Sequence, residues 1–83
     1  GGGLHIGRAP DNGLILDEPA VSRQHAYLGL RGNAWVLVDK GSANGTWVNG
    51  ERITGPRELH EGDRIVLGGV RLALRRHGGA RPA

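Results

Sequence analysis

The chain has no cysteine. Disulfides, thiolate zinc sites and cysteine nucleophiles are therefore excluded, and the redox compartment is left open. Aromatic residues make up only 4% of the 83 residues, and Tyr27, Trp35 and Trp47 are scattered rather than grouped. No apolar run exceeds a few residues, so no segment is long enough to span a membrane. Gly1-Gly2-Gly3 lead straight into patterned sequence without the basic stretch and apolar run of a signal peptide. A cytoplasmic location without membrane insertion is the expectation. Hydrophobic residues are 37% of the chain. That supports one small domain with a thin core and no deep enclosed active site.

The charge is unevenly placed. The net charge of +3 arises from eleven Lys and Arg against eight Asp and Glu. Arg71, Arg75, Arg76 and Arg81 all follow Asp63, the last acid. Residues 1–70 hold seven bases and eight acids, so the basic balance belongs to the C-terminal stretch. A nucleic-acid-binding domain carries a basic stripe across its folded face, which this partition does not provide. Ten of the eleven bases are Arg, and with 16 Gly and eight Ala the composition is that of a GC-rich bacterial genome.

No window places apolar residues at the spacing of a helix over three turns. Short apolar runs bounded by turn residues recur instead. Leu4-His5-Ile6 alternates, and Leu14-Ile15-Leu16 reads as a short buried run. His25 to Leu30 reads as a strand with Ala26, Leu28 and Leu30 on one face, followed by the strong strand Trp35 to Val38. Asn49-Gly50 sits between Trp47-Val48 and Arg52-Ile53, and Gly68-Gly69 joins Arg64–Leu67 to Val70–Leu74. Such pairs accept the positive φ of two-residue hairpin turns. Short strands with a turn every eight to twelve residues indicate a two-sheet antiparallel β-sandwich. Residues 1–76 form the expected domain, and residues 77–83 read as a flexible tail.

Three polar clusters stand between these strands: Gly7-Arg8, Ser22-Arg23-Gln24-His25, and the stretch Gly41 to Gly50. Loops at one end of a sandwich converge, which would bring Arg, Ser and Asn side chains onto one small ligand. Arginine offers a planar fork of donors suited to phosphate. Asparagine can hold extended peptide backbone through its carbonyl and amide. Other chemistries fit less well. Ser22 and His25 have no acid placed to orient a nucleophile–base pair. The glycine-bracketed loop lacks the Gly-Lys-Ser/Thr ending of a phosphate-binding loop. His5, His60 and His77 stand singly, so neither metal nor cofactor is expected.

The order Gly7-Arg8, Ser22-Arg23-Gln24-His25-Ala26, Asn44-Gly45-Thr46-Trp47-Val48-Asn49-Gly50, and then Leu59-His60-Glu61-Gly62-Asp63, closely resembles the forkhead-associated (FHA) domain. The resemblance covers about residues 4–74. It implies a sandwich of about ten to eleven strands whose loops bind phosphothreonine peptides in Ser/Thr kinase signalling. It also implies no catalysis and no cofactor. By resemblance, Arg8, Ser22 and Arg23 are phosphate ligands, with Asn44 on the peptide backbone. Gly7, His25, Gly45, Thr46 and Asn49 resemble the residues that structure the loops. The family often has Ser or Thr just before the loop asparagine. Here that residue is Ala43, and Ser42 is the candidate to replace its phosphate contact. The family also has a strand before Leu4-His5-Ile6, where this chain has only glycines. That first strand is expected to be missing, leaving an exposed sheet edge. The partner would be a phosphothreonine protein in trans or a segment of the same polypeptide. The alternatives are a scaffold domain that leaves the phosphate site unused and a nucleic-acid-binding β-domain.

Overall fold

The computed structural model describes residues 3–75, and no helix occurs among them. The strands are β1 (Leu4–Gly7), β2 (Leu14–Ile15), β3 (Ala26–Arg31), β4 (Ala34–Asp39), β5 (Thr46–Val48), β6 (Glu51–Arg52), β7 (Arg57–Leu59), β8 (Arg64–Leu67) and β9 (Val70–Ala73). They form a five-stranded sheet in the order β2-β1-β3-β4-β7 and a four-stranded sheet in the order β6-β5-β8-β9.

Each sheet contributes half of one core. Ile6, Ala26, Leu37 and Leu59 come from the first sheet. Val48, Ile65 and Leu67 come from the second, with Ile53 just past β6. The period-two alternation of a strand sends every second side chain inward. Within β4 this buries Leu37 between the half-exposed Val36 and Val38. Both anticipated hairpins form. Asn49 and Gly50 have φ of 51° and 85°, and Gly68 and Gly69 have 52° and 90°.

The structure corrects several expectations. The sandwich is not wholly antiparallel, because β1 and β2 run parallel through the pairs Ile6–Leu14 and Gly7–Ile15. The chain between them folds back on itself, with the Asn12 amide donating to the Ala9 carbonyl. Nine strands are present among the described residues rather than ten or eleven, and none precedes β1. β1 is paired on both sides, by β2 and β3, and β9 forms an edge of the second sheet. The run Leu14–Leu16 is only partly buried. Leu14 and Leu16 pack on the core, but Ile15 is 50% exposed, since the chain alternates there. Leu30, on the same face as Ala26 and Leu28, is 55% exposed. Its register partner is the exposed Trp35 beside the turn at Gly32, at the rim of the sandwich. β7 had no apolar pattern to announce it, because Leu59 is its one apolar residue. The tail expected at residues 77–83 lies outside the described residues.

The burial contrast yields a direct test. Leu37→Ala should cost about 3 kcal/mol of stability through lost burial and a residual cavity. Leu30→Ala, at the rim, should cost less than about 1 kcal/mol. Chemical denaturation of both variants checks the ordering.

Candidate functional site

The three polar clusters meet at one end of the molecule, and the short segment Ala20–Ser22 is their common support. Val21 anchors it, buried to 1% exposure. Each of its three residues accepts a bond that ties one of the clusters to it. The Ala20 carbonyl accepts from Asn44 Nδ2 at 2.8 Å. The Val21 carbonyl accepts from Arg8 Nε at 3.0 Å. Ser22 Oγ accepts the Ala43 amide at 3.0 Å. The sequence separations are 24, 13 and 21 residues, so only the fold could place these partners.

Close backbone approach explains two glycines here. A Cβ on Gly7 would stand 2.2 Å from the Arg23 carbonyl oxygen. That space is needed because the Arg8 and Ala9 amides donate to the Ser22 and Arg23 carbonyls. A Cβ on Gly68 would stand 2.2 Å from the Ala20 carbonyl oxygen. The β8–β9 turn thus lies directly against the supporting segment.

His25 is fully buried and binds the loops together. Its Nδ1 accepts the Ser22 amide at 3.0 Å, and its Nε2 stands 2.9 Å from the Gly45 carbonyl. An acceptor at Nδ1 and a carbonyl facing Nε2 define a neutral ring with its proton on Nε2. The ring reaches the backbone of Ser22 and not its hydroxyl, so the nucleophile–base geometry is not formed.

Asp39, at the end of β4, holds the third loop. Its Oδ1 accepts the hydroxyls of Ser42 and Thr46, and its Oδ2 accepts the amides of Gly41 and Ser42. Burial works to raise the Asp39 carboxyl, but the hydrogen bonds from Ser42, Thr46 and Gly41 outweigh it and hold the group below the ordinary carboxylate range. Asp39 was missed by sequence reading. The signal was present as Asp39-Lys40-Gly41-Ser42, an Asp that bonds the amides two and three residues on.

Ser42 departs from its expected role. It is buried, donates to Asp39 and accepts the Gly45 amide. The hydroxyl proton that a phosphate would need is already committed within the loop. Asn49 also departs from the expected loop. It lies at the far end of β5 and accepts the Arg64 amide while donating to Asp63. It therefore locks the β5–β6 hairpin to the start of β8. Asp63 in turn accepts the His60 amide, and with the Asn49 bond this lowers its carboxyl from the ordinary value. Gly45 is held by His25 and Ser42, and Thr46 by Asp39, while Arg23 and Asn44 are exposed.

Asn12 was also missed. It is buried, and its Nδ2 donates to the Ala9 and Arg23 carbonyls at 3.0 and 2.8 Å. It ties the loop after β1 to the loop before β3. Among the described residues no three His, Cys, Asp or Glu side chains group as a metal site.

The model of the FHA domain matches residues 4–68 of this chain. The chain belongs to the FHA family. The FHA assignment is supported by curated relatives and by solved structures. The glycogen accumulation regulator GarA of Mycolicibacterium smegmatis is 44% identical over 68 residues, covering 82% of this chain and 42% of GarA. An oxoglutarate dehydrogenase inhibitor of Corynebacterium jeikeium is 44% identical over 71 residues, covering 82% of this chain and 46% of its own length. The chain thus spans less than half the length of these curated relatives. Mycobacterium tuberculosis EmbR, solved in complex with a low-affinity phosphopeptide, superposes with a TM-score of 0.88 at 34% identity. That match covers 96% of this chain and 21% of EmbR. An FHA domain studied for phosphothreonine-dependent interactions superposes with a TM-score of 0.85 at 36% identity, covering 92% of this chain and 78% of its own.

Two outcomes follow from the FHA loop braces. His25→Ala should lower stability by about 2–4 kcal/mol, because it orphans the Ser22 amide and the Gly45 carbonyl and leaves a cavity. Thermal melting with hydrogen exchange at Ser22 checks this. Asp39→Asn should be less stable than the parent at neutral pH. The lowered carboxyl of Asp39 contributes stability above the ordinary carboxylate pKa of about 4, and this is lost as pH falls through the folded-state value. The gap between parent and Asp39→Asn should therefore narrow on acidification, as read by denaturation between neutral and acidic pH.

Proposed function

We propose that this FHA domain is a non-catalytic module that binds phosphothreonine-containing proteins in Ser/Thr kinase signalling, on the cytoplasmic side where such kinases act. One observation carries the reading. The loop braces use only part of each candidate ligand group and leave one complementary set over. Arg8 spends Nε on Val21, and its two terminal nitrogens have no partner among the described residues. Ser22 Oγ accepts from Ala43, so its proton remains to be donated. Asn44 spends one amide proton on Ala20, and its carbonyl oxygen remains to accept a peptide amide. A fork of two N–H donors beside a hydroxyl donor matches a tetrahedral oxyanion. A neighbouring amide acceptor matches the peptide that carries it.

Arg23, exposed at the same loop, is the second proposed phosphate ligand. Ser42 is not, since its proton is held by Asp39. His25 supports the absence of catalysis, because both of its ring nitrogens serve backbone groups. The phosphopeptide complex of EmbR and the phosphothreonine-dependent FHA domain support the same reading. The ligand is a partner in trans or a phosphorylated segment of the same polypeptide.

Calorimetric titration with a phosphothreonine peptide provides the test. Arg8→Ala should weaken binding by about 3 kcal/mol, roughly a hundredfold, as two charge-assisted hydrogen bonds are lost. Melting should show a retained fold. The second phosphate pKa is about 6, while arginine stays charged. Affinity should therefore be full above pH 7 and fall as the ligand takes up a proton through about pH 6. Equal binding of phosphorylated and unphosphorylated peptide would overturn the reading.

A further inference from the structure

Arg52 lies next to the proposed peptide-binding loop yet takes no part in the braces described above. It pairs directly across the β5–β6 hairpin with Trp47, so the two side chains share a face of the sheet. Its guanidinium carbon lies 6.0 Å from the Trp47 ring centroid. At that distance a cation over the face of an indole is attracted to it. The same side chain lies against the backbone of Gly45. A Cβ there would stand 2.9 Å from Arg52 Nε and 3.2 Å from Trp47 Nε1, and Gly45 has a φ of +87°. Gly45 follows Asn44 directly. Its carbonyl is held by His25 and its amide by Ser42, so the surface under Arg52 is rigid.

Arg52 is exposed, and no carboxylate lies within ion-pairing distance of it among the described residues. The acid beside it in sequence, Glu51, points to the other face and pairs with Arg57 at 3.0 Å. Arg52 thus lies beside Gly45, the residue that follows Asn44, whereas Arg8 is held at Val21 and Ser22 at Ala43.

We infer that Arg52 is a specificity-determining residue that selects a carboxylate side chain flanking the phosphothreonine, on the Asn44 side of the site. The inference rests on the phosphopeptide reading above. The Trp47 ring and the Gly45 backbone beside it limit where the guanidinium can go before the ligand arrives, so less side-chain freedom is lost on pairing. The pair stays at the solvent-exposed rim, where such ion pairs give about a two- to fivefold effect and weaken with salt.

The experiment uses phosphothreonine peptides with an alanine background and one Asp moved through successive flanking positions, each also made without phosphate. The readout is the ratio of Kd for the all-alanine peptide to that for each Asp peptide, so a general loss of affinity cancels. The parent should show a ratio of about two to five at one flanking position, shrinking at high salt. Arg52→Lys should keep a ratio above one. Arg52→Gln should bring it to one, and Arg52→Glu should invert it in favour of Lys at the same position. A parent indifferent to Asp at every position overturns the inference alone, as does Arg52→Gln retaining the parent ratio. Absence of any phosphate-dependent binding by the parent overturns the functional reading and the inference with it.

Discussion

The site depends on one buried imidazole. His25 donates its own backbone amide to Ile6, its carbonyl accepts the Lys40 amide, and its ring joins the Ser22 amide to the Gly45 carbonyl. Through four bonds it reaches the end of β1, the loop before β3, the end of β4 and the loop before β5. Those are the places from which Arg8, Ser22 and Asn44 project. A histidine suits the position because a neutral ring presents one acceptor and one donor on opposite sides. It can therefore satisfy a backbone N–H and a backbone C=O at once from a fully buried position. Leaving either group unpaired would cost on the order of 1–3 kcal/mol. That is a large part of the stability of a domain this small.

Around that imidazole, roles are divided by how fully each polar group is spent. Ser42 and Thr46 are consumed by Asp39, and the amide nitrogen of Asn12 by two carbonyls. They shape the loops and offer little outward. Arg8, Ser22 and Asn44 are spent by half, and the spent half aims the other. An arginine held through Nε presents its two terminal nitrogens in a known direction. Preorganisation of this kind reduces the ordering cost of binding. Removing a brace and removing a ligand group should thus have different signatures, the first in stability and affinity together, the second in affinity.

Much of this was readable along the chain, and the limits have physical causes. The hairpin at Asn49-Gly50 was legible because two adjacent residues both adopt positive φ, a local property. β4 was legible from its alternating apolar residues, whereas β7, with a single apolar residue, carried no pattern. The parallel pairing of β1 with β2 was missed because a six-residue link favours reversal of direction. Ser22 and Ser42 look alike as isolated serines. They differ in that one hydroxyl proton is taken by Asp39 and the other is not.

Taken by itself, the sequence determined the class of the fold, the positions of the tight turns and the residue types offered at three loops. Each of these follows from preferences expressed within a few neighbouring residues. The tertiary structure decided which groups meet. His25 and Gly45 are 20 residues apart, and Asn44 and Ala20 are 24 apart. The meeting of Arg52 with Gly45 depends on the β5–β6 register. Partner choice is set by sheet order and register, which balance burial across the whole core, and no short stretch of sequence carries that information.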